Sequence, residues 1–186
     1  MWAAGATGSE NSVMKKIKFP LQKRSSLLEF RAGEEVFLSG VVYTARDKVH
    51  HLTSSGSLRW PFALKANAIY YCGPTPATEG FPMGSCGPTT SARMDSYTPT
   101  LYARGLAATI GKGPRSGEVR RAIKENGGIY LMAFGGCGAL YGSRVKKARI
   151  IAFEDLGPQA VYRAEIEDFP ALVAIDARGN DIFSED

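Results

Sequence analysis

Three apolar runs in this chain each lead into a polar loop that carries a cation. The runs occupy residues 36–42, 69–72 and 106–109, and the cations that follow them are Arg46, Arg93 and Lys112. Short apolar runs bounded by glycine, proline and polar residues are typical of buried strands. Ligands of open α/β sheets bind beyond the carboxyl ends of such strands. The pattern therefore predicts that the three cations converge at one edge of a sheet.

Strand and helix patterns alternate through the middle of the chain. Further strands are expected over residues 129–134, 148–153, 161–167 and 171–176. This order predicts one mixed-sheet α/β domain over residues 14–186. Residues 17–30 are mixed and amphipathic, and we expect them to form an arm that docks on a neighbour. Residues 1–13 are small, polar and glycine-rich, and we interpret them as an extension added to the native domain.

Helix start and stop signals locate two helices between the strands. The first is expected to run from Thr90 toward Arg104, with Pro99 either kinking it or starting a new helix that Thr98 caps. The second is expected over residues 117–126, with Ser116 as its cap.

Composition limits the classes of protein that fit. With 44% hydrophobic and 22% charged residues, the chain resembles a globular domain, and no apolar stretch approaches the roughly 18 residues of a membrane span. The net charge of +5 comes from dispersed basic residues, so neither nucleic-acid nor membrane binding is expected.

The three cysteines, Cys72, Cys86 and Cys137, are an odd number without CxxC spacing. This pattern favours reduced thiols in a cytoplasmic protein over a disulfide framework. We expect each to be a small buried or loop residue and predict no metal site, although three thiolates that met in space could hold an iron–sulfur cluster.

The stretch from Gly87 to Asp95 concentrates groups that suit an anion. Gly87 lets the backbone approach a ligand closely, and the hydroxyl residues 89–91 are typical of the start of a helix. Arg93 then falls in the first helical turn, where a cation beside free backbone N–H groups suits a bound anion. The alternative is a capped helix in which Arg93 pairs with Asp95 or faces solvent.

Two further polar side chains follow Arg46 along the chain. Asp47 and His50 lie one helical turn apart if the segment is helical, and they could orient Arg46 or complete the site. A direct acid or base role for His50 stays open beside an orienting or structural one.

Three motifs follow one another in a fixed order. They are Arg46-Asp-x-x-His50, Gly87-Pro-Thr-Thr-Ser-x-Arg-Met-Asp95 and Gly111-Lys-Gly-x-Arg-Ser116. Together they resemble the class I fumarate hydratase and L(+)-tartrate dehydratase family, in its β subunit, which is equivalent to the C-terminal domain of single-chain members. Residues 153–158 and 167–171 are similar as well, so that the resemblance covers roughly residues 30–183.

The resemblance implies a fold and an activity. The fold is the three-layer swivelling β/β/α domain, and the activity is that of a hydro-lyase acting on a C4 dicarboxylate, with fumarate to malate first and tartrate or mesaconate as alternatives. It also implies a 4Fe-4S cluster whose cysteine ligands lie on a cluster-bearing α subunit or N-terminal domain. This chain has no such cysteine set, and it is expected to supply half of the active site.

A dicarboxylate substrate gives each candidate residue a role. A dianion taken from water into a cleft needs cations, and Arg46, Arg93 and Lys112 supply them both for binding and for the charge that develops on proton removal. By resemblance, Thr89 handles the proton at carbon, although a free hydroxyl is a weak base. The predicted catalytic set is Thr89, Arg93, Lys112 and Arg46. The predicted substrate contacts are Arg46, Thr90, Ser91, Arg93, Lys112 and Gly87, supported by Asp47, His50 and Asp95.

Two other classes of function stay open at this point. One is a stand-alone module that binds an acid or phosphate ester without catalysis, and the other is a related domain used for protein interaction. In both, the cations could be ordinary surface residues, and the hydroxyls could serve only as helix caps.

Overall fold

The computed structural model describes residues 14–54 and 58–184. The interpretation of residues 1–13 as an extension lies outside these ranges. Within them, no helix is both long and apolar enough to cross a membrane.

Seven strands and four α-helices form the described part of the chain. The strands are β1 (Lys15–Phe19), β2 (Glu35–Thr44), β3 (Ala68–Tyr70), β4 (Ala108–Gly111), β5 (Ile129–Met132), β6 (Val145–Ala152) and β7 (Val161–Ile175). The α-helices are α1 (Asp47–Ser54), α2 (Thr98–Ala103), α3 (Gly117–Asn126) and α4 (Gly138–Ser143). Three 3-10 helices cover Arg24–Glu29, Ser91–Met94 and Glu154–Gln159.

The strands form one mixed sheet in the order β1-β2-β3-β4-β5-β7-β6. Strands β1 to β5 are parallel to one another, whereas β7 runs antiparallel to β2, β5 and β6. Strand β7 also pairs with β2, so that β2, β3, β4, β5 and β7 close into a barrel-like ring. The prediction of a mixed α/β fold is confirmed.

The central strands are apolar throughout because both of their faces are covered. Every residue of β3 and β4 is buried, as parallel strands between layers require. Their carboxyl ends point the same way, toward the loops that carry the candidate residues.

The amino-terminal segment belongs to the core of the same chain. Strand β1 pairs in parallel with β2, and Ile17, Phe19 and Leu27 are buried in the main hydrophobic cluster. The prediction of an arm that docks on a neighbour is therefore wrong. These apolar side chains already find their packing partners within the domain.

Strand β7 is continuous where two strands were predicted. Asp168 adopts a positive φ of 46°, and its N–H donates to the Ser39 hydroxyl at 3.1 Å instead of to the ladder. The partner strand shifts register between Leu38 and Gly40 at the same level. A bulge thus absorbs the irregularity, and the strand continues through Pro170.

The segment after Thr90 forms two short helices. A 3-10 turn over Ser91–Met94 is followed by α2, which has Pro99 in its first turn, so that of the two alternatives at Pro99 the structure shows a new helix and not a kink. The cap at this helix was predicted wrongly, because Tyr97 is the N-cap and the Thr98 hydroxyl donates back to the Met94 carbonyl. At α3 the Ser116 cap is confirmed, since its hydroxyl accepts from the Val119 N–H.

Candidate functional site

The carboxyl ends of β2, β3 and β4 bring the candidate loops to one edge of the ring. Arg46 follows β2, and Lys112 follows β4 directly. The chain that leaves β3 returns as residues 88–91, with the Thr89 N–H donating to the Tyr71 carbonyl at 2.6 Å. All three candidate loops therefore start from neighbouring strands, as the sequence pattern predicts.

Backbone hydrogen bonds join the loop of Thr89 to the loop of Lys112. The Lys112 N–H donates to the Thr89 carbonyl at 3.3 Å, and the Ser91 N–H donates to the Lys112 carbonyl at 3.0 Å. Thr90 forms a parallel bridge with Lys112 between these two bonds. The side chain of Thr89 is half-buried, that of Thr90 is exposed, and neither hydroxyl has a hydrogen-bond partner in the described ranges.

Arg46 reaches the end of β3 by lying across a glycine. A Cβ at Gly73 would sit 2.9 Å from the Pro158 carbonyl, closer than real side chains allow, and a tight 3.0 Å from Arg46 Nη1. The glycine thus leaves the space that the guanidinium occupies. Arg46 Nε lies 3.6 Å from Asp47 Oδ1, and both atoms are buried without a hydrogen bond to the residues described.

The Lys112 side chain extends toward the loop after β5. A Cβ at Gly135 would lie 3.9 Å from Lys112 Nζ, and the amine has no ion pair among the described residues. Gly87 lies against Gly138 at the start of α4, where a Cβ on Gly87 would be 3.6 Å from the Gly138 Cα. The side chain of Lys112, on the loop after β4, therefore lies next to the glycine-rich loop after β5.

Arg93 is exposed on its 3-10 helix and has no ion pair within the described ranges. The alternative pairing of Arg93 with Asp95 is wrong, because Asp95 binds other groups, described below. The structure places the Ser91 hydroxyl elsewhere, in the core, 3.0 Å from the Tyr130 hydroxyl. The edge therefore presents Arg93 and Thr90, whereas Ser91 points away from solvent.

His50 lies behind Arg46 as a neutral imidazole. Burial lowers its pKa to about 4, against a weaker opposing effect of the Arg46 carbonyl. Its Nδ1 lies 2.9 Å from that carbonyl, so the neutral ring donates there, and its Nε2 is buried without a partner in the described chain. The ring packs edge-on against Trp60 and Tyr71. This geometry favours the orienting role of His50 over direct proton transfer.

One functional candidate, Arg115, escaped the sequence reasoning. Its side chain is fully buried, and its Nε donates to Asp95 Oδ1 at 2.7 Å. Burial alone would lower the pKa of Arg115, but Tyr71 and the Asp95 carboxylate together raise it, so the guanidinium is charged. The only available signal was the position of Arg115 in the same short motif as Lys112.

Comparison with known proteins identifies the family. The family model described as "Fumarase C-terminus" matches residues 2–186. The chain belongs to this family. Among its relatives, fumarate hydratase 2 of Leishmania major is 39% identical over 184 residues, which are 95% of this chain and 32% of the relative.

Two further relatives show how the family divides. The anaerobic class I fumarate hydratase of Escherichia coli (strain K12) is 35% identical over 87% of this chain and 30% of its own length. The putative L(+)-tartrate dehydratase subunit beta of Methanocaldococcus jannaschii is 36% identical over 87% of this chain and 88% of its own length. The chain thus spans about a third of the fumarate hydratases and most of the separate β subunit.

The iron–sulfur cluster expected from the family resemblance can be tested against the thiols of this chain. Burial raises the pKa of Cys72 far above its usual range and that of Cys86 to about 12, which opposes formation of the thiolates that a cluster binds. Within the part of the chain that the structure describes, no group of three or more His, Cys, Asp or Glu side chains could hold a metal ion. These residues do not fit a cluster.

Proposed function

We propose that this chain is the β-type part of a hydro-lyase that reversibly hydrates a small C4 dicarboxylate, most simply fumarate to malate. The proposal rests mainly on one observation at the carboxyl-end edge of the sheet. Arg93 and Lys112, two cations without ion pairs among the described residues, lie on loops that backbone hydrogen bonds join. The printed functions of the relatives supply the reaction class. Tartrate and mesaconate are the alternative substrates.

Substrate binding is assigned to Arg46, Arg93 and Lys112. An unpaired dianion would lose tens of kcal/mol of hydration by ideal Born estimates, so its carboxylates need fixed cations. Each arginine can bind a carboxylate through two parallel N–H donors, and the lysine adds a compact charge. Exposed Thr90 and the backbone at Gly87 are further contacts to the substrate.

Proton transfer at carbon is assigned to Thr89. In the dehydration direction, the C–H bond next to a carboxylate breaks and its proton passes to the activated Thr89, while its electron pair forms the C=C bond. The C–O bond on the adjacent carbon breaks with its electron pair on oxygen, and the hydroxide that leaves takes up one proton to become water. The negative charge that develops next to the carboxylate is stabilised by the same cations more in the transition state than in the ground state. Thr89 needs an activating neighbour, because a free hydroxyl is a weak base.

The departing hydroxyl needs a Lewis acid, which we assign to a 4Fe-4S cluster on a partner. The partner is a cluster-bearing α subunit in a heteromer, or the corresponding region of a longer chain. Two observations support this division, namely the printed name "subunit beta" of one relative and the coverage of only a third of the others. We also propose a cytoplasmic location, a single domain over 14–186 preceded by the extension, and the three-layer swivelling arrangement.

A stand-alone anion-binding module is the second candidate. The exposed side chain of Arg93 and the unpaired amine of Lys112 would serve a bound acid equally well without catalysis. Tight binding of one anion by this chain alone, with no activity beside any cluster-bearing partner, would favour this second function.

The deciding experiment is an anaerobic assay of the chain co-expressed with its cluster-bearing partner. Fumarate, malate, L-tartrate and mesaconate are tested with each subunit alone, with the pair, and with the Arg93→Ala variant. The matched control is Arg120→Ala, which removes an exposed arginine from α3. We expect activity only in the pair, lost in Arg93→Ala and kept in Arg120→Ala. The proposal would be refuted if the metal-free chain alone turned over a substrate, or if the cluster-loaded pair turned over none of the four.

A further inference from the structure

A buried ion pair connects the two loops that carry Arg93 and Lys112. Asp95 directly follows the 3-10 helix of Arg93, and only 16% of its side chain is exposed. One carboxylate oxygen accepts from Arg115 Nε at 2.7 Å, and the other accepts from the Ser116 N–H at 2.7 Å. Both oxygens of Asp95 are thus used to hold the end of the Lys112 loop.

The remaining donors of Arg115 fix its guanidinium from other directions. Nη1 donates to the Thr109 hydroxyl of β4 at 3.1 Å, and Nη2 donates to the Thr98 hydroxyl of α2 at 2.8 Å. The guanidinium carbon also lies 4.9 Å from the ring centre of Tyr130 and 5.5 Å from that of Tyr71. The arginine therefore ties a strand, a helix and the Asp95 turn together.

Stability alone does not account for such a pair. Removing two charges from water costs several kcal/mol for each ion, and replacing buried ion pairs with packed apolar side chains is often neutral or stabilising. What a fully bonded Arg–Asp pair adds over an apolar contact is a defined distance and direction. We therefore take the role of the Asp95–Arg115 pair to be the fixing of distances and directions between the segments that it joins.

The geometry in question is the spacing between two substrate cations. Backbone bonds between residues 89–91 and Lys112 hold the two loops together on one side of Arg93. The Asp95–Arg115 pair holds them together on the other side, three residues beyond Lys112. Two attachments at different points restrict both sliding and rotation of one loop relative to the other.

We propose that Arg115 and Asp95 form a positioning pair that sets the spacing between Arg93 and Lys112, and with it the length of the dicarboxylate that the site accepts. This inference rests on the proposed function, in which both cations bind substrate carboxylates. Neither member of the pair touches the substrate.

The test uses the assembled enzyme and three competitive inhibitors that differ by one methylene each, namely malonate, succinate and glutarate. The isosteric Asp95→Asn variant removes the charge, and Arg115→Lys keeps the charge but cannot reach Asp95, Thr98 and Thr109 together. The control is Leu27→Ala, a core variant that lowers the melting temperature without touching either loop. One methylene is worth about 10-fold or more in a fitted site.

We expect the unmodified enzyme to prefer succinate, and this preference over malonate and glutarate to fall by about 10-fold in both pair variants. Leu27→Ala should keep the preference. Unchanged inhibitor ratios in the pair variants would overturn the inference while leaving the proposed function intact. Failure of the unmodified enzyme to bind any of the three diacids would instead refute the proposed function, and the inference with it. If Asp95→Asn does not fold, Arg115→Lys decides the question.

Discussion

Arginine serves two different purposes at the two ends of the parallel strands. At the amino ends, Arg24 donates to the carbonyls of Asn126, Gly105 and Leu106 at 2.5 to 2.8 Å, just before β5 and β4 begin. At the carboxyl ends, Arg46 and Arg93 have no hydrogen bond from their guanidinium groups to the described residues. A guanidinium whose donors are already used holds the segments around it in place, as Arg24 and Arg115 do, whereas one with free donors can bind a ligand.

The largest expected effect that separates the two ends is on activity. Replacing Lys112 with methionine keeps the aliphatic chain but removes the charge, and we expect kcat/KM of the assembled enzyme to fall by about 10³-fold. The melting temperature should stay the same, because the amine has no ion pair within the described ranges. Steady-state kinetics and thermal melting measure the two effects. Lys124→Met, at an exposed lysine of α3, is the control. A comparable loss of activity in that control would contradict the comparison.

The next effect concerns stability at the opposite end. Arg24→Met removes three hydrogen bonds to backbone carbonyls, of which that of Gly105 keeps the Ala66 N–H as a donor, and we expect the free energy of unfolding to fall by about 3 kcal/mol. The kcat of folded enzyme should be unchanged. Denaturant unfolding with Lys23→Met, the exposed neighbour, as the control tests this. If Arg24→Met lowers kcat without lowering stability, the division of roles between the two ends is wrong.

The smallest effect is a dependence of stability on pH that comes from the buried His50 at the carboxyl end. The folded pKa of His50, about 4, is below its unfolded value of 6.5, so the unfolded chain binds more protons between these values. The contribution of neutral His50 to the free energy of unfolding is then fully present above pH 6.5. It is lost as the pH drops toward 4, by about 2 kcal/mol between pH 7 and pH 5. Unfolding of His50→Gln should lose this slope, whereas His51→Gln, at the exposed neighbour, should keep it. An equal slope in His50→Gln would assign it to other groups.

The features that sequence predicted best were local ones. The positions of Arg46 and Lys112 follow from an apolar strand that ends in a polar turn, and the Ser116 cap follows from a motif within one helix. The restart of the helix at Pro99 is equally local, because the missing N–H of proline is tolerated only in a first turn.

What sequence reasoning missed depends on contacts between distant segments. Strand β1 carries three lysines among five residues, and only its pairing with β2 shows that Ile17 and Phe19 point into the core. An arginine is buried only where partners converge, and those of Arg115 come from three separate elements. The inward direction of the Ser91 hydroxyl likewise depends on Tyr130, which lies on β5.

The closure of the ring by β7 has a consequence for how the chain is made. Strand β7 pairs with β2 in a register that joins Leu172 to Glu35, far apart in sequence. Strand β7 leaves the ribosome after all its partner strands. Until then, β2 and β5 each have one edge without a hydrogen-bonded partner strand. Non-local pairing of this kind is slow, and unpaired strand edges invite association between nascent chains. During biosynthesis, the delay before β7 emerges is thus the interval in which this domain is most prone to association with other chains.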